Sequence, residues 1–342
     1  MIPKDTKLDL SKSVTSPVAR SKTMQMSSLG KSIKQNSVKD EDEDSEFFIH
    51  ADSLNYEHGH DQREEVMKNF DEVSFDCFNF RGVYDAISLQ FMIYKIFKKY
   101  NMVGEESLFF IQFETLFNFA NEIAQGYFKE NKFHNDLHII DSLQAMHYLM
   151  DVGGLQTQVK KLDIFSVFVA NIIHDYEHPG YSNQFIVRTK HPLAIRYSDS
   201  MVLENHHLAS AFNVMLNSEN CNIMGNLTLE MYRDSRRIII EIVLNTDMSK
   251  HFSLMTTLKT KLGNSFPTDS IEDRVLILSI ALRTSDMFKV VRDGRTCFQK
   301  WMDLMFEEFF KQGEMEKVLD LPISKFMDKE NTNNLKAYVN YI

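Results

Sequence analysis

The sequence predicts an all-α globular domain carried behind a low-complexity leader. Three observations point there. From about Val73 onward, apolar residues recur three and four positions apart, the spacing of one face of a helix. Alternating strand patterns are short and rare, and 12 Gly and 6 Pro stand against 27 Phe and 19 Met. Histidines and acids fall at the ends of the apolar runs, which places a polar site where helices converge.

The elements follow in chain order. Met1 to Lys39 is rich in Ser and Lys, and Asp40-Glu41-Asp42-Glu43-Asp44-Ser45-Glu46 then reverses the charge. Such a stretch buries too little apolar surface to offset its ordering entropy, so residues 1–60 read as a disordered, solvated tail. A docking or phosphorylation segment, or weak attachment of its basic part to an anionic membrane, is the alternative for it. Ile87, Phe91, Ile93, Tyr94 and Phe97 predict one amphipathic helix, and Leu108, Ile111, Leu116, Phe119 and Ile123 one or two more. His134 and His138 stand at i and i+4, on one face if their segment is helical. Leu162 to Ile173 predicts a buried helix ending at His174-Asp175, and Arg236–Leu244 and Arg274–Leu282 predict two more leading to Asp247 and Asp286.

The totals exclude several classes. With 342 residues and 43% apolar content, one large domain or two modest ones can form. A net charge of -10 argues against a nucleic-acid-coating surface. Cys77, Cys221 and Cys297 are far apart and form no CxxC pair, which suits a reducing compartment rather than a disulfide framework. No apolar run approaches the roughly 20 residues that span a bilayer, and the N-terminus lacks a signal-peptide stretch. The expectation is a soluble cytoplasmic protein, with its oligomeric state open.

The chemistry lies in Phe133-His134-Asn135-Asp136-Leu137-His138 and His174-Asp175-Tyr176-Glu177-His178-Pro179-Gly180. Imidazole nitrogen and carboxylate oxygen suit zinc-like ions, and a harder ion such as magnesium prefers oxygen. His138, His174, Asp175 and Asp286 can supply two nitrogens and two carboxylates to one ion, with Asp175 bridging to a second. Such a pair acidifies a water toward neutral pH, which suits phosphate ester hydrolysis. His134, not needed as a ligand, is placed as general acid for the leaving oxygen. The competing reading is chance, since the chain holds 12 histidines. Two segments in this order make chance the weaker reading.

These segments, with Val202-Leu203-Glu204-Asn205-His206-His207-Leu208-Ala209, Leu244-Asn245-Thr246-Asp247-Met248-Ser249-Lys250-His251 and Glu307-Glu308-Phe309-Phe310-Lys311-Gln312-Gly313, resemble the catalytic domain of class I 3′,5′-cyclic-nucleotide phosphodiesterases, in wording nearest the cAMP-specific group. The resemblance runs from about residue 75 to 342. It implies a compact, multi-helix HD-type fold with a binuclear site for Zn2+ and Mg2+ or Mn2+. It implies hydrolysis of cAMP, cGMP or both to the 5′-monophosphate. By position, His134 would protonate the leaving O3′, and His138, His174, Asp175 and Asp286 would be metal ligands. His178, Glu204, His206, Thr246 and Asp247 would orient waters and ligand imidazoles.

The departures concern the base. The family's glutamine falls at Leu335 and its stacking phenylalanine at Tyr338, and a one-residue slip would put Asn334 at the amide. Tyrosine still stacks, whereas leucine leaves a base edge unpaired at a cost of roughly 1 to 3 kcal/mol. Lys289 stands where the family has an asparagine, Arg283 where it has a histidine, and Phe133 replaces a tyrosine. Lys289 either brings a positive charge to the purine site or runs its stem out to water. By the same resemblance, the family helix that covers the pocket would be cut short at Ile342. Two further readings compete: a metal-bearing pseudo-enzyme acting as a scaffold, and another His-Asp phosphohydrolase, which leaves the Glu204 segment unexplained.

Overall fold

A computed structural model describes residues 44–51, 60–263, 270–292 and 295–331. Leu335 and Tyr338 lie outside the described residues, as does most of the predicted tail. Two units are distinguished, 1–55 and 56–342. Of the first, helix α1 (Ser45–Ala51) is described. In the second, the regular structure among the described residues is all helical, with one isolated bridge between Val103 and Ile111 in place of any strand.

That unit runs α2 (His60–Met67), α3 (Cys77–Tyr84), α4 (Ser88–Lys99), α5 (Phe113–Gly126), α6 (Asp136–Met150), α7 (Lys161–Ile173), α8 (Asn183–Arg188), α9 (Pro192–Arg196), α10 (Val202–Asn217), α11 (Leu229–Leu244), α12 (His251–Leu262), α13 (Ile271–Asp286) and α14 (Arg295–Val318). The predicted helix around Phe91 is α4, and Ile87, Phe91, Ile93, Tyr94 and Phe97 are all buried. Of the next predicted group, Leu116, Phe119 and Ile123 lie on the buried face of α5, whereas Leu108 sits in the preceding loop and is half exposed.

At the centre α7 packs on α11, α6 on α13, and α6 on both α4 and α7. Every residue of α7 from Asp163 to Ile173 is buried, as the continuous apolar run requires of a helix surrounded by others. Several polar groups on these central helices are paired. Asp163 meets Arg274 of α13 at 2.8 Å, Ser166 meets Ser235 of α11 at 2.8 Å, and Asp141 of α6 meets Arg292 at 3.0 Å. Side-chain caps fix where the helices start. Asn135 Oδ1 accepts from the Leu137 N–H at 2.9 Å, Thr228 Oγ1 from the Met231 N–H at 3.2 Å, and Ser270 Oγ from the Asp273 N–H at 3.1 Å. The first turn of α6, the last of α7 and the last of α13 thereby meet at one place.

Candidate active site

His134 and His138 come together, but not as residues on one helical face. Asn135, extended at φ -137, is the N-cap of α6, so His134 precedes the helix and only His138 belongs to it. Their rings still meet edge to face, with centroids 6.1 Å apart.

The fully buried His138 directs Nε2 at two carboxylates, Asp286 Oδ1 at 3.1 Å and Asp175 Oδ2 at 3.2 Å. Neither approach has the angle of a hydrogen bond, and the nitrogen has no other partner. His174 Nε2 lies 3.4 Å from Asp175 Oδ2 and 4.0 Å from Asp286 Oδ1, also without a hydrogen bond. Its Nδ1–H donates to the Asn171 carbonyl at 2.8 Å, which fixes the tautomer with Nε2 bare. Buried imidazole nitrogens left unpaired beside carboxylates are costly by themselves. They make sense as donors converging on a cation, and His138, His174 and Asp175 can bring their ligand atoms within 4.8 Å of one another. Burial opposes the charge on Asp175 and Asp286, yet the surrounding histidines, with Lys289 beside Asp286, hold both carboxyls below the ordinary carboxylate range. The donor set therefore fits a divalent metal. A second acidic grouping, Asp71, His147 and Asp151, is already served by Lys99, whose Nζ lies 2.8 Å from Asp71 and 3.1 Å from Asp151.

Beside the cluster stands His134. Its Nδ1 hydrogen-bonds Glu308 of α14, whose other oxygen accepts from the backbone N–H groups of Phe133 at 2.9 Å and His134 at 3.2 Å. Burial alone would discharge His134. The Glu308 charge and hydrogen bond, with Asp175 and Asp286, outweigh it and lift the imidazole to about 9. Glu308 in turn falls to about 2: burial opposes its charge, and His134 overcomes that.

His178 stacks on His134 at 3.9 Å, and Nδ1 accepts from the Gly180 N–H at 3.0 Å. Burial, then the His134 charge, holds it well below the ordinary imidazole range. Asn131 Nδ2 donates to the carbonyls of both His134 and His178, at 3.0 and 2.7 Å, and so ties the two segments together. Glu204 accepts two hydrogen bonds from Asn183, at 3.1 and 3.0 Å, and burial raises its pKa.

His206 is turned away from the cluster, with Nε2 3.1 Å from Glu177. The histidine beside it faces inward instead: His207 Nε2 is 4.0 Å from Asp175 Oδ1, its Nδ1 lies 2.6 Å from the Tyr176 carbonyl, and burial lowers it to about 4. Thr246 spends its hydroxyl on the Val243 carbonyl at 2.8 Å, and Asp247 accepts from the Ser249 N–H at 2.8 Å. Arg283 binds the carbonyls of Asn245, Thr246 and Asp247 at 2.7, 3.1 and 3.2 Å, and so holds this turn against α13.

Lys289 does not run out to water. It is 2% exposed, with Nζ 4.8 Å over the Phe133 ring and 5.7 Å from the Trp301 ring. The ammonium donates to the Asp286 carbonyl and lies 3.8 Å from that residue's carboxylate. Phe133 stacks on His138 at 5.1 Å, behind the cluster. Glu308, His207, Trp301, Asn131 and Asn183 are site residues that the sequence does not single out. Glu308 lay within a segment noted for its resemblance, and His207 beside a residue already chosen.

A profile of the family described as 3′5′-cyclic nucleotide phosphodiesterase matches residues 133–342. Human dual specificity calcium/calmodulin-dependent 3′,5′-cyclic nucleotide phosphodiesterase 1C is 34% identical over 279 residues, 81% of this chain and 38% of its own length. The corresponding Drosophila melanogaster dual specificity phosphodiesterase 1 is 34% identical over 81% of this chain and 32% of its own length. Mouse 3′,5′-cyclic-AMP phosphodiesterase 4C is 32% identical over 82% and 42%. The chain thus spans well under half the length of these relatives.

Proposed function

The chain belongs to the 3′,5′-cyclic nucleotide phosphodiesterase family, and from that premise we propose that it hydrolyses cAMP, cGMP or both to the 5′-monophosphate, ending a cyclic-nucleotide signal. The observation that carries the proposal is the convergence of two unpartnered imidazole nitrogens and two ionised carboxylates beside a charged His134.

His138, His174, Asp175 and Asp286 would hold the metals: imidazole nitrogen with carboxylate oxygen suits Zn2+, and carboxylate oxygen suits Mg2+ or Mn2+. When bound, the cations supply positive charge to the phosphate oxygens and a water acidified toward neutral pH. His134 donates its Nε2 proton to the departing O3′, and Glu308 keeps the Nδ1–H in place as the ring becomes neutral. His178 and His207, both held neutral by burial, fill the space around Asp175 without adding charge. Burial, with the charge of Asp175, favours the neutral form of Glu204, which Asn183 holds. Lys289 acts on the Asp286 side of the cluster, a role supported by its burial and its contacts with Phe133, Trp301 and Asp286.

Chelation followed by metal addition tests this reading. The stripped chain should lose hydrolysis of cAMP and cGMP and regain it with zinc plus magnesium or manganese, giving the 5′-monophosphate. Activity that persists after the metal content has fallen to zero, or a 3′-monophosphate product, would sink it.

A further inference from the structure

Between the helices that carry the candidate metal ligands lies a second buried polar group. Asn171 interrupts the apolar run of α7 one turn before His174. Ser142 stands one turn after His138 on α6, and Ser285 directly precedes Asp286 on α13. All three are 0% exposed, and the three helices pack on one another. Building on the metal reading above, we propose that Asn171 is a positioning residue for that site. With Ser142 and Ser285 it ties α6, α7 and α13 together behind the ligands, and so sets the spacing at which His138, His174, Asp175 and Asp286 converge.

The Asn171 amide has two N–H bonds and meets two acceptors, the Ser142 carbonyl at 3.2 Å and Ser285 Oγ at 3.1 Å. Ser285 donates its own proton to the Leu282 carbonyl at 2.8 Å, and the Ser142 hydroxyl lies 3.4 Å from Ser285 Oγ. One side chain of α7 therefore reaches both other helices. The backbone of the same residue reaches the site itself, since the Asn171 carbonyl accepts from His174 Nδ1–H at 2.8 Å. The amide oxygen, Oδ1, is buried without a partner. A buried amide with an unmet acceptor costs stability, and leucine has nearly the same shape. What the amide adds over leucine is direction: its two hydrogen bonds hold neighbouring helices at one distance and register.

The ligands need such a tie because two of them oppose each other. Asp175, just past the end of α7, and Asp286, at the end of α13, point their carboxylates at the same nitrogen, His138 Nε2, at 3.2 and 3.1 Å. Like charges so placed push their helices apart. Asn171 and Ser285, one turn and one residue behind them, hold the same two helices together.

The test compares the full chain with Asn171→Leu, Ser285→Ala and the double variant. Zinc affinity per folded molecule is read by competition with a chromogenic chelator, and stability by urea denaturation of the zinc-free chain. Leucine keeps the volume and removes the unpaired acceptor, so Asn171→Leu should unfold at nearly the parent's urea concentration. Its zinc affinity should fall about tenfold or more, as for other residues that orient metal ligands. Ser285→Ala, a smaller change that spares the core, should weaken zinc in the same direction. The double variant should be no weaker than Asn171→Leu alone, because both changes remove one connection. Zinc affinity equal to the parent's in Asn171→Leu, or single effects that multiply in the double variant, would overturn the proposal. A parent chain that holds no zinc would instead remove the metal reading, and the proposal falls with it.

Discussion

Replacing Glu308 by glutamine keeps the size of the side chain and one acceptor but removes the charge that holds His134 protonated. The difference between about 9 in the fold and the ordinary 6.5 is worth roughly 3 kcal/mol, and Glu308, whose side chain is 5% exposed, loses little of that to solvent screening. Glu308, from 4.5 down to about 2, reports the same interaction, so it is counted once. The sign follows from each partner. His134, raised, contributes stability that is complete below 6.5 and lost as pH rises through about 9. Glu308, lowered, contributes stability that is complete above 4.5 and lost as pH falls through about 2. Glu308→Gln should therefore cost most in urea denaturation between these limits, near pH 5.5, and little above pH 9.5. On the proposed mechanism the acid form of His134 is the working form, so the alkaline limb of kcat/KM should move down by about two pH units and activity near pH 8 should fall about tenfold. Cations held by Asp175 and Asp286 would lower this limb in both proteins, so the comparison is made at one metal concentration. An alkaline limb in Glu308→Gln that coincides with that of the unaltered chain would refute the assignment of His134 as the acid.

Two further outcomes follow. Lys289→Asn removes a buried positive charge 3.8 Å from the Asp286 carboxylate, so the chain should retain zinc against a chelator at least about tenfold better, and unchanged retention would remove Lys289 from the metal site. Gly180→Ala places a methyl 2.6 Å from Asn131 Oδ1 at a φ of 77, so it should cost on the order of 1 to 3 kcal/mol in denaturation and reduce turnover by freeing the His134 and His178 segments; a variant as stable as the parent would contradict that strain.

The parts of this fold that were readable from sequence are those set by local pattern. Leu162–Ile173 announces a buried helix because apolar residues fall on every face, and Asp175 and Asp286 gather because Asp175 follows the end of α7 and Asp286 ends α13. The place of His134 was readable in principle, since Asn135 before an apolar run is an N-cap signal, but i,i+4 spacing overrode it. Other features depend on distances along the chain that no local pattern spans. Glu308 reaches His134 across 174 residues. His206 and His207 differ by one helical step, about 100° of rotation, and the sequence alone did not show which of them faces Asp175. From sequence, Lys289 reads either as snorkelling or as meeting a base, because its flanking residues carry no sign of Phe133 and Trp301 closing over it.

The measurement that bears most directly on the central claim is turnover of cAMP and cGMP by the purified chain, with Mg2+ or Mn2+, beside Asp175→Ala of equal thermal stability. The account predicts metal-dependent release of the 5′-monophosphate by the parent and its loss by several powers of ten in the variant. A parent no faster than Asp175→Ala, while still holding its metal, would contradict it.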